Sequence, residues 1–179
     1  ETTKASHDAE AKLASAGLPE TILPELIQQT KELLHTEGFC EDESGLTEKG
    51  IVASYVREAH PLALAALLSE CDYGKDVTPS QLAASLSCQC GISVPPQSVE
   101  AIRPESGDPI VDAIANRYAS QLQHFEDMES RRRLQSGEDY EYQFALLKPI
   151  LAWGKAHTPE DCNKAIAMAT LSAGIGIGG

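Results

Sequence analysis

Along most of this chain, apolar residues recur three and four positions apart, the spacing of one helix face. Between Pro19 and Glu37 the stripe is Leu23, Leu26, Ile27, Leu33 and Leu34, and Gly38 supplies its stop. The longest stripe, Val111, Ile114, Tyr118, Leu122 and Phe125, predicts a helix over 109–136. Further helices are expected near 59–73, 78–90, 139–153 and 158–173. Their starts carry capping chemistry. "TPSQ" places Thr78 at the cap, Pro79 at the first helical position and Gln81 three residues on, a capping box. "TPED" repeats the arrangement with Thr158 and Pro159, and "DPIV" offers Asp108 and Pro109. His60 before Pro61 and His157 before Thr158 are placed at helix boundaries.

Two stretches break this rhythm. "FCEDESGL" reads as strand, acidic turn, strand, and "GLTEKGIVASYV" as the last strand of a wing running into a helix. "ISVPPQSVEAIRPES" is broken by prolines and predicts an extended connector. The expected fold is mostly α, a helical bundle preceded by a partial winged-helix unit with a short β-hairpin. The domain division is a polar segment at 1–18, the winged unit at 19–57 and the bundle at 58–179.

Composition narrows the function. The 27 acidic residues against 14 basic give a formal net charge of -13, and residues 1–50 alone carry 11 acids and 4 bases. Phosphate backbones bind through Lys and Arg that displace counterions, so any nucleic-acid contact must be local. The one basic cluster is Arg131, Arg132 and Arg133. Two roles are open to it. It can complement the helix dipole and pair with Glu126, Asp127 and Glu129 a turn earlier, or it can clamp a phosphate.

Five cysteines at irregular spacing argue against a secreted disulfide framework. The longest apolar run, "PLALAALL", is eight residues, against the roughly 20 of a membrane span. The expectation is an intracellular, reduced, soluble chain with no membrane contact. A start at Glu1 and a stop on "GIGIGG" suggest a fragment or processed product.

Catalytic signals are thin. "GIGIGG" has dinucleotide-loop spacing, but a helix precedes it where a strand is needed. Cys71, Cys88 and Cys90 could supply three thiolates to zinc, yet no histidine stands at ligand spacing and Cys88 falls on an apolar face, so packing is the simpler role. His7, His35, His60, His124 and His157 are scattered without a partner motif. Trp153 closes a helix with Phe144, Leu147, Ile150 and Leu151 and is expected to anchor the core. No catalytic, cofactor or metal residue is assigned.

Taken in order, "LIQQTKELLHTEGFC", "LTEKGIVASYV" and "PLALAALLSECDYGKDVTPSQLAASLSC" resemble the C-terminal, DSHCT-type region of exosome-associated Ski-type and Mtr-type DExH-box RNA helicases. Gln81, Leu82, Ala83, Ala84, Leu86, Ser87 and Cys88 match that family's short helix ending in Leu-Ser-Cys. "FALLKPILAWGKAHTPEDCNKA" and "GIGIGG" follow in the family's order, although Gly154 follows Trp153 directly where the family spaces it. The family's glutamate after the Leu-Ser-Cys helix is unmatched, with Gly91 and Ile92 standing near its place.

The resemblance implies a non-catalytic module that guides single-stranded RNA beside a helicase core. The family's best-known RNA contacts do not carry over to this sequence, and Arg131, Arg132 and Arg133 are the candidates for phosphate contact by their own charge. ATP and Mg would belong to the parent protein, since this chain carries no P-loop or DExH motif. Implied partners are RNA, the helicase core domains and proteins of an RNA-decay complex, in nucleus or cytoplasm. Two rival readings stand beside it. One is a structural or scaffolding protein released from a larger precursor, viral sources included. The other is a winged-helix regulator using Pro24–Leu34 as recognition helix, although that segment sets one lysine against Glu25 and Glu32.

Overall fold

The structure is a computed structural model that describes residues 22–41, 45–72, 75–90, 103–134 and 136–173. The polar segment at 1–18, most of the proline-broken connector, His7 and "GIGIGG" lie outside these residues. Among the described residues the chain is mostly α-helical: α1 Ile22–Thr36, α2 Glu48–Tyr55, α3 Pro61–Glu70, α4 Pro79–Leu86, α5 Pro109–Arg132, α6 Leu147–Gly154 and α7 Pro159–Ala173. A 3-10 turn, Ser87–Gln89, extends α4.

The caps read from the sequence form as written. Thr78 Oγ1 accepts from Gln81 N, and Gln81 Oε1 accepts from Thr78 N at 3.0 Å. Asp108 accepts from Ile110 N at 3.0 Å, and Thr158 Oγ1 from Asp161 N at 3.2 Å. His60 caps α3 through Nδ1, which accepts from Ala63 N at 3.2 Å. At the other end of α1, Gly38 takes the left-handed conformation (φ 71°). Gly38 N donates to His35 O and Phe39 N to Leu34 O, the paired bonds of a Schellman stop.

The core runs through the middle of α5. Val111, Ile114, Tyr118, Leu122 and Phe125 are all buried, as their spacing implied. α3 and α4 pack on this helix, α6 lies on α4, and α7 lies on α6. Leu33 and Phe39, from the segment before α2, and Ala53 of α2 join the same hydrophobic cluster.

Two expectations are corrected. The wing hairpin is absent as a sheet: among the described residues only one antiparallel bridge forms, Cys40 to Leu46. The cause is local. Thr47 accepts from Gly50 N and starts α2 at Glu48, so the "Glu-Lys-Gly" step is helix and not strand. Gly50 is buried against Phe39, and a Cβ there would overlap the Phe39 carbonyl oxygen. The helix expected over 139–153 begins only at Leu147. Gln143 instead runs extended beside the 3-10 turn, its N donating to Cys88 O at 2.9 Å and its Nε2 to Ser87 O at 3.2 Å. Its Oε1 then accepts from Ala145 N at 2.6 Å, which holds the chain out of a helix just before α6.

Candidate functional site

Arg131, Arg132 and Arg133 stand where α5 stops. The helix ends four residues short of the expected boundary because Arg133 adopts a left-handed conformation (φ 54°). Arg133 N donates to Ser130 O at 3.2 Å and Leu134 N to Glu129 O at 2.9 Å, the same Schellman pairing that glycine provides in α1. An arginine here bears the steric cost that glycine avoids, about 1 kcal/mol.

The acids a turn earlier do not neutralise these arginines. Gln123 Nε2 donates to Glu126 at 3.2 Å and to Asp127 at 3.1 Å. Glu129 accepts from Ser136 N at 3.3 Å and Ser136 Oγ at 2.9 Å. Arg132 Nη1 rests on Met128 Sδ at 3.3 Å. The ion pairs among the described residues lie elsewhere, and none of them joins a carboxylate to these three guanidiniums.

Beside Arg133 opens a cavity of about 560 Å³. Leu26, Leu33 and Leu34 of α1 make one apolar wall, and Pro61 and Leu62 at the head of α3 make another. Glu129, Arg133, Leu134, Ser136 and Glu138 close the third side. His60 also lines it and is only 2% exposed. Because Nδ1 accepts from Ala63 N, the neutral ring carries its proton on Nε2, and that nitrogen has no partner. The ring stacks on Phe125 at 5.8 Å and lies under Tyr140 at 4.7 Å. The hydroxyls of Tyr118 and Tyr140 are buried nearby, Tyr118 beside the His60 backbone and Tyr140 beside Ser136 and Glu129. Burial holds His60 below the ordinary histidine range, against the opposing pull of the Glu129 charge. Burial pushes both tyrosines up, and for Tyr140 the Glu129 carboxylate adds to the effect.

Comparison with protein-family models, curated proteins and solved structures gives no match. The site's chemistry therefore rests on its geometry.

A second hollow, of about 260 Å³, gathers Glu37, Lys49, Ser69, Glu70, Gln121 and His124. His124 Nε2 lies 3.0 Å from Glu37 Oε2, and Gln121 Nε2 donates to Glu70 Oε1 at 2.6 Å. Burial lowers the Lys49 ammonium, while Glu37 and Glu70 pull it back up, and its Nζ sits 4.2 Å above the Phe39 ring. Acid, base and hydroxyl share this hollow, but no hydrogen bond joins Ser69 to His124 or Lys49. The hydroxyl lacks the adjacent base that nucleophilic catalysis requires.

The cysteines separate. Cys88 is buried with Sγ 2.9 Å from Ser85 O, and burial pushes its thiol up to about 12. Cys90 is exposed and Cys71 half-buried. Among the described residues no group of three or more His, Cys, Asp or Glu is placed to hold a metal ion. No helix among them is long and apolar enough to cross a membrane.

Trp153 is not a core anchor: it is 55% exposed. Leu147 and Leu151 take the buried face of α6, and the close contact at its end belongs to Gly154, whose carbonyl accepts from Ser80 Oγ at 2.7 Å. The sequence reading missed the cavity altogether. Its traces were a His-Pro step at a helix start and an arginine followed shortly by Ser-Gly at a helix end, both of which read as ordinary boundaries.

Proposed function

We propose that this chain is a non-catalytic helical module of an ATP-dependent RNA helicase-like protein, guiding single-stranded RNA beside an ATPase core. The supporting observation is the cluster Arg131, Arg132 and Arg133, three cations without an acidic partner in a chain of net charge -13. Cations left unneutralised on an acidic protein suit an outside anion, and a guanidinium can grip a phosphate through two parallel hydrogen bonds. On this reading α1, the Cys40–Leu46 bridge and α2 stand in chain order where the resembled family carries its winged unit. ATP and Mg would sit in the parent's core, which is where the resembled family carries its P-loop and DExH motifs. The module's own work is positional: helices hold the strand, and no bond is made or broken on it.

Salt-dependent titration of single-stranded RNA tests this. Each phosphate contact on a single strand contributes about 0.7 to the slope of log affinity against log salt. Changing Arg131, Arg132 and Arg133 together to Gln should lower the slope by about 2 and weaken binding across RNA sequences alike. An unchanged slope would remove the phosphate role.

A further inference from the structure

We propose that the cavity between α1, the head of α3 and the end of α5 binds an apolar molecule ending in a carboxylate, with Arg133 as the headgroup's partner. The site shares Arg133 with the strand-guiding role but does not depend on that role. A volume of about 560 Å³ is that of a small-molecule pocket, a class that spans about 300–1,000 Å³ and combines apolar walls with a few convergent polar groups. Here the leucines of α1 and Leu62 form the apolar part.

Three observations fix the headgroup. Arg133 occupies a left-handed position that glycine would fill without strain, and its guanidinium meets no acceptor. Strained backbone positions of this kind cluster at functional sites and ligand clamps. His60, on the same cavity and 2% exposed, carries an Nε2 proton with no acceptor. Glu129 accepts from Ser136 N and Oγ and forms no ion pair with Arg133, which leaves the guanidinium unpaired although the charges of Glu129 and Glu138 both face the cavity and oppose an anion. Spare donors beside an apolar hollow call for an acceptor-bearing head on an apolar body. An aliphatic acid of about eight carbons meets that description, its carboxylate taking the two parallel bonds of the guanidinium.

Calorimetric titration of the full chain with octanoate, octanol and octylamine tests the assignment. Octanoate should bind saturably and at least about tenfold tighter than octylamine. Arg133→Gln should remove that preference while octanol binding persists. Arg133→Gly should raise the melting temperature, since glycine suits the backbone there, yet lose octanoate; a gain in stability with a loss of binding separates ligand contact from structural support. Arg131→Gln should leave octanoate binding unchanged while weakening RNA, so failure of one reading is distinguishable from failure of the other. Equal binding of the acid and the amine, wild-type octanoate affinity in Arg133→Gln, or no saturable binding by any of the three overturns the proposal.

Discussion

Gly50→Ala sets two rules of physical chemistry against each other. Gly50 lies within α2, where helix propensity alone favours alanine by about 0.5–1 kcal/mol. The packing says the opposite. A Cβ at this position overlaps the Phe39 carbonyl oxygen and comes within 3.0 Å of its carbon and 3.3 Å of Leu46 Cδ2. The carbonyl cannot retreat freely. It accepts from Thr47 N at 3.1 Å, and the Phe39 ring is 1% exposed, edge-on to Phe125 at 6.0 Å. Moving it forfeits a hydrogen bond of about 1 kcal/mol and overpacks the core by about 1–3 kcal/mol. After the propensity gain is subtracted, the variant should be about 1–3 kcal/mol less stable. For a chain of this size that lowers the melting temperature by about 2–12 °C. Urea unfolding followed by circular dichroism should show a lower midpoint with an unchanged slope. A variant as stable as the parent, or more so, would show that α2 does not sit against Phe39 and would refute the account of why "LTEKG" is helical here.

The histidine under the cavity makes stability depend on pH. Burial lowers the folded-state pKa of His60 below its unfolded value of about 6.5, so the unfolded chain binds more protons in the interval between them. The stabilisation is complete above about pH 6.5 and is lost as pH falls through that interval. His60→Asn, which keeps a capping side chain, should flatten the loss seen between about pH 7.5 and about pH 5.5; an unaltered slope assigns it to other groups. Thiol labelling should take Cys90 rapidly and Cys88 only on unfolding, because Cys88 is buried and its thiol is pushed up to about 12. Equal labelling rates would contradict the packing of the 3-10 turn. Trp153→Ala should cost less than about 1 kcal/mol, and the native tryptophan should be quenched readily by iodide, since the side chain is 55% exposed. A blue-shifted, unquenched emission would return it to the core.

What could be read from the sequence was what is encoded locally. The α5 stripe and the caps at Thr78, Asp108 and Thr158 depend on residues two to four positions apart, and they form as expected. The failures share a different origin. The hairpin expected around "FCEDESGL" gave way to a single bridge because Gly50 packs on Phe39, a contact between segments that no periodicity announces. The stretch 139–146 stayed out of a helix because Gln143 found the carbonyls of Ser87 and Cys88, more than 50 positions away. Trp153 looked like an anchor by residue type, and its exposure follows from which face of α6 meets α4. The arginines were visible as a cluster. That their acidic neighbours bond elsewhere, and that Arg133 is left-handed beside a cavity, depends on three helices converging.

The 24 residues of α5 make a rod about 36 Å long. At its start Asp108 holds Gln81 of α4 at 3.1 Å and Lys155, just past α6, at 3.5 Å; at its finish Arg133 closes the leucine-walled hollow. Tyr118 and Leu122 lie sealed midway, inside a face that is buried from Val111 to Phe125. One continuous helix therefore carries the grip on α4 and α6 at one end and a wall of the opening at the other.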